Sequence, residues 1–211
     1  MERNLTLIER ESKKVQVLLV QLSPKIYHSL VRPKWFTKIY IQNNIQRHFD
    51  LTGQKVLDFG AGTGANCTLC SPDYYVGIDP DTNRIDFAKR LYAAYQFEAF
   101  SGHELPVEEN SFDVILIIAV LHHIPPDMVR HYIKEFKRIL RPNGKVVVIE
   151  PYLCDASPIC NWFMKTNDKG DYIQKEEQYL DYFTKEHFRY NVISRFKKCF
   201  LYNELYFTAF L

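Results

Sequence analysis

The feature that most constrains this chain is a set of continuously apolar runs separated by segments of helical periodicity. SFDVILIIAVL at 111–121 and KVVVIEP at 145–151 have few polar breaks. A strand with one solvent-facing side alternates apolar and polar residues, so such runs are typical of strands covered on both faces. The chain is therefore predicted to be an α/β protein with a central parallel sheet.

Shorter segments extend this pattern on both sides of the apolar runs. Strands are predicted at KVLDFG (55–60), YYVGID (74–79) and FEAFS (97–101); helices are predicted at 82–95, with Thr82 as the N-cap, and at 127–140; RPNG (141–144) is predicted to be a turn. Strands and helices that alternate in this way indicate a three-layer, doubly wound, Rossmann-like sheet with right-handed crossovers. Sheets of this class bind ligands at the carboxyl ends of their strands.

Two segments flank this core. The first is expected to be mainly helical, with Trp35, Ile39 and Ile45 on one side of a helix, and the second is rich in aromatic residues and adds two edge strands from about Val192. At 211 residues the chain is expected to form one domain. Its predicted parts are a helical N-terminal extension (1–50), a cofactor-binding core (51–151), and an aromatic cap with the final strands (152–211).

Composition excludes few functional classes. A net charge of +2, with 46% hydrophobic and 25% charged residues, is ordinary for a globular protein and gives no strong signal for nucleic-acid binding. The basic excess within residues 1–54 is either a solvated helix face or a patch for an anionic partner. The apolar run at 15–22 is too short to span a bilayer and lacks a signal peptide's flanks, so a cytoplasmic protein is expected.

The five cysteines are expected to be free thiols. Cys67 and Cys70 form a C-x-x-C, for which burial in reduced form, half of a zinc site and a redox pair are the alternatives. A zinc site needs two further ligands, and Cys154 with Cys160 have looser spacing than a usual zinc knuckle. Buried, reduced cysteines beside the glycine loop are therefore the prediction, with no metal.

The stretch DFGAGTGANC at 58–67 is predicted to be a ligand-binding loop. It lacks the lysine of a P-loop, and its glycines are spaced by two, unlike the G-x-G-x-x-G of dinucleotide folds. Asp58 at the loop entrance would repel a pyrophosphate, but it suits a ligand that carries a cation, such as S-adenosylmethionine. A helix after the loop would offer its N–H groups to a carboxylate, and Asp79, at the end of the second strand, is placed to accept ribose hydroxyls.

The ordered motifs VLDFGAGTG, GIDP, LPVEENSFDVI, VLHHI and LRPNGKVVVIEP resemble those of class I S-adenosylmethionine-dependent methyltransferases. The resemblance is to the small-molecule branch that includes the ubiquinone and menaquinone methyltransferases, and it covers about residues 50 to 151. It implies a seven-stranded sheet, mostly parallel, with an antiparallel C-terminal strand. It also implies S-adenosylmethionine as cofactor and S-adenosylhomocysteine as product.

Carried over by position, the resemblance implies a set of cofactor-binding residues. They are Asp58, Gly60, Ala61, Gly62 and Gly64 around the methionine part; Asp79, followed by Pro80, on the ribose; Ser101, Gly102 and His103 along the adenine; and Ile118 and Ala119 beneath the sulfonium. The family often has an aspartate where Ser101 stands, so a serine hydroxyl or the backbone would accept from the adenine amino group here.

Methyl transfer from a sulfonium mainly requires alignment of donor and acceptor, and a general base only when the acceptor holds a proton. His122 and His123 are the candidate bases, with shielding of the cofactor or packing in the turn as the alternative. Glu150 and Tyr152 are placed to reach the acceptor, although Glu150 is also suited to lining the pocket or anchoring a loop. Adjacent histidines point in different directions, which disfavours a shared metal site.

The predicted function is methyl transfer to oxygen or carbon of a small-molecule or lipid-like acceptor. The Asn/Asp-Pro-Pro-Tyr/Phe motif of many amino-group methyltransferases is replaced by AVLH at 119–122. Tyr27, Trp35 and Tyr40 either close over the cofactor or pack in the core. A non-catalytic S-adenosylmethionine-binding protein and a nicotinamide-dependent oxidoreductase are the alternatives, and the glycine spacing with Asp58 disfavours the second.

Overall fold

A seven-stranded sheet forms the centre of the protein. The computed structural model describes residues 37–168 and 170–211. The strands are β1 (Val56–Phe59), β2 (Tyr75–Asp79), β3 (Gln96–Ala99), β4 (Phe112–Ile118), β5 (Leu140–Pro151), β6 (Arg189–Lys198) and β7 (Tyr202–Phe210).

Five α-helices lie in the described part of the chain. They are α1 (Asn43–His48), which continues a π-helical segment at Lys38–Gln42, then α2 (Thr82–Leu91), α3 (Pro126–Ile139), α4 (Pro158–Asn167) and α5 (Glu176–Lys185). Among the residues described, no helix is both long and apolar enough to cross a membrane.

The strand order is β3-β2-β1-β4-β5-β7-β6. Strands β1 to β5 pair in parallel, and β7 pairs antiparallel with both β5 and β6. The predicted mostly parallel, seven-stranded α/β sheet with a reversed C-terminal strand is confirmed. Of the two strands predicted at the edge, only β6 is an edge strand, because β7 inserts between β5 and β6 and has its central residues buried.

Helices cover both faces of the sheet and give three layers. On one face Ile117, Val148 and Phe207 pack with Phe136 of α3 and Phe183 of α5. The opposite face meets α1 and α2 through the following residues: Val114, Ile149 and Tyr206 with Ile45, and Tyr75 and Phe97 with Ile85 and Ala88. Coverage on both faces explains why β4 and β5 are apolar without alternation.

Several local boundaries differ from the sequence predictions: the helix predicted at 82–95 ends at Leu91, and the strand predicted at 97–101 spans Gln96–Ala99. Asp81, and not Thr82, caps α2, because its carboxylate accepts from the N–H groups of Asn83 and Arg84. The predicted RPNG turn lies inside β5 as an irregular stretch, where the register with β4 shifts and Asn143 has a positive φ of 67°.

The N-terminal helix presents a different face from the predicted one. Ile45 is fully buried, but Ile39 is 52% exposed and Ile41 is buried in its place. The reason is the π-helical segment, whose wider turn changes the phase of the side chains relative to an α-helix. The predictions for Tyr27 and Trp35 lie outside the described residues, and Tyr40 is half-buried against the core.

All five cysteines are free thiols, as predicted. Cys67 is buried and Cys70 half-buried beside the glycine loop. Burial, followed by the negative charge of Asp58, raises the pKa of each thiol to about 12. Thiols held protonated in this way are poor nucleophiles and poor metal ligands.

Candidate active site

The predicted cofactor residues converge at the carboxyl ends of three neighbouring parallel strands. The glycine loop follows β1, Asp79 ends β2, and Ala119 follows β4, while β1 pairs directly with both β2 and β4. The backbone N–H groups of Gly60 and Ala61 both donate to the carbonyl of Ile78, at 2.8 and 2.9 Å. The protein's own backbone hydrogen bonds therefore hold the loop against the end of β2.

The three glycines of the loop have different reasons to be glycine. All three have positive φ: 79° at Gly60, 55° at Gly62 and 77° at Gly64. A β-carbon at Gly60 would lie 2.4 Å from Val120 Cγ2, and one at Gly64 would lie 2.7 Å from Phe97 Cζ. Among residues 37–168 and 170–211, a β-carbon at Gly62 would have only Asp79 Oδ2 nearby, at 3.9 Å. Gly60 and Gly64 thus make room for the protein's own side chains, and Gly62 faces space that the described residues leave open.

Replacing Gly60 with alanine is expected to lower the free energy of unfolding by about 2–4 kcal/mol, from left-handed backbone strain together with overpacking against Val120. Gly53→Ala is the matched control, because Gly53 has a φ of 70° but no described residue lies within 4 Å of its added β-carbon. It is expected to cost about 1 kcal/mol, from backbone strain alone. Chemical denaturation of both variants measures the difference, and equal losses would contradict the packing argument.

Asp79 holds the glycine loop with one oxygen and the start of α2 with the other. Its Oδ2 accepts from Gly62 N at 2.9 Å, and its Oδ1 accepts from Asp81 N at 2.9 Å. Asp79 is 6% exposed, and burial raises the pKa of its carboxyl group against the opposing effect of these hydrogen bonds. Because a carboxylate has about four acceptor positions, it retains capacity for the two hydroxyls of a ribose. Pro80, next along the chain, is exposed.

Asp58 is buried and is hydrogen-bonded to a residue of the neighbouring strand β2. Its Oδ2 accepts from the hydroxyl of Tyr75 at 2.7 Å, and the residue is 1% exposed. This contact supports anchoring of the loop entrance by Asp58. The helix predicted after the loop is a series of turns and a three-residue 3-10 segment, Cys67–Leu69, so it does not offer the α-helical N-terminus that was expected.

The loop after β3 lies at the same edge of the sheet. Ser101 and His103 are exposed, and Gly102 is half-buried. The loop is tied to α3, because Tyr132 donates its hydroxyl to the carbonyl of Gly102 at 2.8 Å. On the other side of the glycine loop, Ile118 is buried and Ala119 has a φ of 56°, with its N–H donating to Ile149 O at 2.8 Å.

Glu150 anchors the segment that follows β4. Its Oε1 accepts from the N–H groups of Val120 and Leu121, at 2.6 and 2.8 Å, and its Oε2 lies 2.7 Å from Nδ1 of His122. Glu150 is fully buried. These contacts correspond to the loop-anchoring alternative of the sequence analysis, since both oxygens face this segment.

His122 is held between two carboxylates. Its Nε2 lies 3.4 Å from Asp168 Oδ1, opposite Glu150, and the residue is 2% exposed. Burial would lower the pKa of His122, but Glu150 and Asp168 outweigh it and raise that pKa to about 9. Burial would likewise raise the pKa of Asp168, but the hydrogen bond and charge of His122 hold it at about 2. The imidazolium form therefore clamps the segment after β4 to the segment before α5.

Stability is expected to fall as pH rises through the titration of His122. Its pKa is raised from 6.5 to about 9, so its contribution is fully present below pH 6.5 and is lost toward pH 9. The loss is expected to be about 3 kcal/mol. Denaturation of the parent and of His122→Gln at several pH values measures it. The variant is expected to be less stable at pH 6.5 and to lack this slope, and identical slopes would refute the clamp.

The side-chain ligand atoms of His122, His123 and Asp168 lie within 4.8 Å of one another, a spacing that a metal ion can bridge. The chemistry of His122 favours a proton instead, because an imidazolium donates from both nitrogens and has no lone pair for a metal. His123 is exposed, with its ring centroid 4.0 Å from that of His122. Of the two histidines, His123 is therefore the one whose ring is accessible for proton transfer.

Sequence reasoning missed Asp168 and Val120 in this site. The contact of Asp168 with His122 spans two separate segments of chain, and no local pattern indicates it. Glu204 was also not predicted as a site residue, although its sequence context marks it as unusual. An acidic residue stands in the strand NELYFTAF, which is otherwise mostly apolar. Glu204 is fully buried.

Part of the chain that contains this site is similar to known proteins. Residues 57–148 match the family described as "Methyltransferase domain". Demethylmenaquinone methyltransferase of Bacillus cereus is 34% identical over 109 residues, which is 46% of this chain and 45% of that protein. The chain thus spans less than half the length of this curated relative.

Solved structures share the fold. A S-adenosylmethionine-dependent methyltransferase of Methanosarcina mazei superposes with a TM-score of 0.61 at 16% identity, over 80% of this chain and 97% of that one. Human N-acetylserotonin methyltransferase, solved in complex with S-adenosylmethionine, gives a TM-score of 0.64 at 17% identity, over 95% of this chain and 63% of that one.

Proposed function

We propose that this chain is a class I S-adenosylmethionine-dependent methyltransferase, and that it transfers a methyl group to oxygen or carbon of a small-molecule or lipid-like acceptor, because residues 57–148 match the family described as "Methyltransferase domain". The observation that carries the proposal is the pair Gly62 and Asp79. Gly62 leaves open space that a β-carbon would fill, and Asp79 borders that space with a buried carboxylate. Such a cradle fits a ribose beside a close backbone approach.

The residues that would hold the cofactor are among those predicted from the sequence, except that Asp58 would anchor the loop entrance through Tyr75. Gly62 and its neighbours in the loop would receive the methionine part, Asp79 the ribose, and the loop of Ser101, Gly102 and His103 the adenine. Ile118 and Ala119 would form the floor beneath the sulfonium. S-adenosylmethionine supplies an already activated methyl group, so the protein's task is to align the acceptor and exclude water.

Glu150 and His122 would contribute to methyl transfer mainly by holding the backbone after β4 in place. Glu150 and His122 hold the backbone from Ala119 to Leu121 in place, and neither is accessible to an acceptor in this arrangement. His123, which is exposed, is the candidate that could take a proton from a hydroxyl acceptor. A carbon acceptor of the enol type would need less help.

Two relatives support a small-molecule acceptor. One is named for demethylmenaquinone and the other for N-acetylserotonin. The aromatic cap predicted within 152–211 would cover a small-molecule acceptor with its less buried side chains, because Phe183, Tyr206 and Phe207 pack in the core.

A labelled methyl-transfer assay tests the proposal. The purified chain is incubated with methyl-labelled S-adenosylmethionine and fractionated small-molecule and lipid extracts, with Asp79→Ala as the matched control. Label is expected in one organic-extractable product with the parent and to be strongly reduced with the variant. Binding of S-adenosylhomocysteine without label transfer to any fraction would favour a non-catalytic S-adenosylmethionine-binding protein.

A further inference from the structure

A cavity beside the proposed cofactor site contains a carboxylate with a free oxygen. It is a partly open cavity, whose volume of about 390 Å³ includes open solvent, and its lining includes Ile41, Asn66, Ile118, Ala119, Ile149, Lys198 and Glu204. Asn66 belongs to the segment after the glycine loop, and Ala119 follows β4. The cavity therefore adjoins the position proposed for the transferred methyl group.

Glu204 is the unusual member of this lining. It is fully buried at the start of β7, and its Oε1 forms an ion pair with Nζ of Lys198 at the end of β6. Its Oε2 has no hydrogen-bond partner among residues 37–168 and 170–211, and the same holds for the buried Oδ1 of Asn66. A buried acceptor without a donor is costly, and native proteins keep few of them.

The chemistry of the lining indicates what would satisfy these atoms. Both unpartnered atoms in this lining are acceptors, so the group missing here is a hydrogen-bond donor. The two other buried unpartnered groups of the described residues, Asn203 Nδ2 and the Tyr206 hydroxyl, lie outside the lining. Lys198 already balances the charge of Glu204, which favours a neutral hydroxyl over a cation. The walls from Ile41, Ile118 and Ile149 suit an apolar body attached to that hydroxyl.

We propose that Glu204, charge-balanced by Lys198, binds a hydroxyl group of the methyl acceptor and thereby selects hydroxylated apolar compounds. This proposal rests on the proposed function. Glu204 acts here as a specificity residue that orients the acceptor beside Ala119. No covalent or proton-transfer step is assigned to it.

Three matched probes test the selection: 4-ethylphenol, 4-ethylanisole, which lacks the hydroxyl hydrogen, and 4-ethylbenzylamine, which is a cation at pH 7.5. Their dissociation constants are measured by NMR titration of the full chain saturated with S-adenosylhomocysteine. The parent is expected to bind the phenol about 10–100-fold more tightly than the anisole, as for a hydrogen bond to a charged acceptor. A parent that binds the phenol no better than the anisole, or binds the amine most tightly, overturns the proposal.

Variants then assign the preference to Glu204. Glu204→Leu is expected to reduce the preference for phenol over anisole to less than threefold, with the anisole constant little changed. Glu204→Gln keeps an acceptor oxygen and is expected to retain part of the preference. A full preference in Glu204→Leu overturns the assignment. Because the comparison of probes on the parent needs no substitution, the proposal stays testable if Glu204→Leu does not fold.

The outcomes separate this inference from the proposed function. If S-adenosylhomocysteine fails to bind the parent, the proposed function is wrong. If it binds, but the phenol preference is absent or independent of Glu204, only the role of Glu204 is wrong.

Discussion

Replacing Glu150 with alanine is expected to lower the free energy of unfolding by about 3–5 kcal/mol, the usual cost of breaking a buried charge pair. The substitution removes the acceptor for the N–H groups of Val120 and Leu121, and among the described residues it leaves His122 with only Asp168 as a charged partner. The segment that carries Ala119 would then be held less firmly. Denaturant unfolding measures the stability loss, and calorimetry with S-adenosylhomocysteine measures its effect on the site.

Two further variants serve as a control and an intermediate case for Glu150→Ala. Glu109→Ala removes an exposed carboxylate and is expected to change stability by less than about 0.5 kcal/mol. Glu150→Gln keeps the shape and one acceptor oxygen but loses the charge that faces His122, so an intermediate loss is expected. If Glu150→Ala costs less than about 1 kcal/mol, the network does not anchor the loop as its geometry indicates.

Replacing Asp79 with alanine is expected to weaken S-adenosylhomocysteine binding by about 100-fold or more. The ribose would lose two charge-assisted hydrogen bonds, each of which contributes about 1.5–3 kcal/mol. The N–H of Gly62 would also lose its partner at 2.9 Å, so the loop would be less ordered before binding. Isothermal titration calorimetry of the parent and the variant measures the change.

Asp81→Ala is the matched control for Asp79→Ala. Asp81 is a nearby carboxylate that caps α2, and its loss is expected to cost about 1 kcal/mol of stability with less than a threefold change in affinity. Asp79→Asn keeps one acceptor oxygen and should fall between the parent and Asp79→Ala. If Asp79→Ala binds S-adenosylhomocysteine as tightly as the parent, the ribose assignment is wrong.

The sheet could be predicted from the sequence because its physical cause is local. β4 and β5 are buried on both faces, and a strand in that position must be apolar along its whole length. The prediction of Thr82 as the N-cap of α2 is wrong, because Asp81 and Thr82 are both residue types that cap helices and the backbone conformation decides between them. Ile39 was assigned to the wrong face because a π-helical segment leaves no clear mark in the sequence.

Most residues of the candidate site could be predicted from the sequence, but the contacts between them could not. The spacing of the glycines suggested a loop that a ligand approaches, and the structure shows that Gly60 and Gly64 instead accommodate Val120 and Phe97. Packing of this kind joins segments distant in the chain, so no local pattern reveals it. The contact between His122 and Asp168 could not be predicted for the same reason, because Asp168 lies in a distant segment of the chain, before α5.

The most direct test of the account is calorimetric titration of the purified chain with S-adenosylhomocysteine and, separately, with NAD⁺. We expect one S-adenosylhomocysteine to bind per chain, with affinity lowered about 100-fold or more by Asp79→Ala, and no binding of NAD⁺. Binding of NAD⁺ without binding of S-adenosylhomocysteine would contradict the assignment of the cofactor and, with it, the proposed methyl transfer.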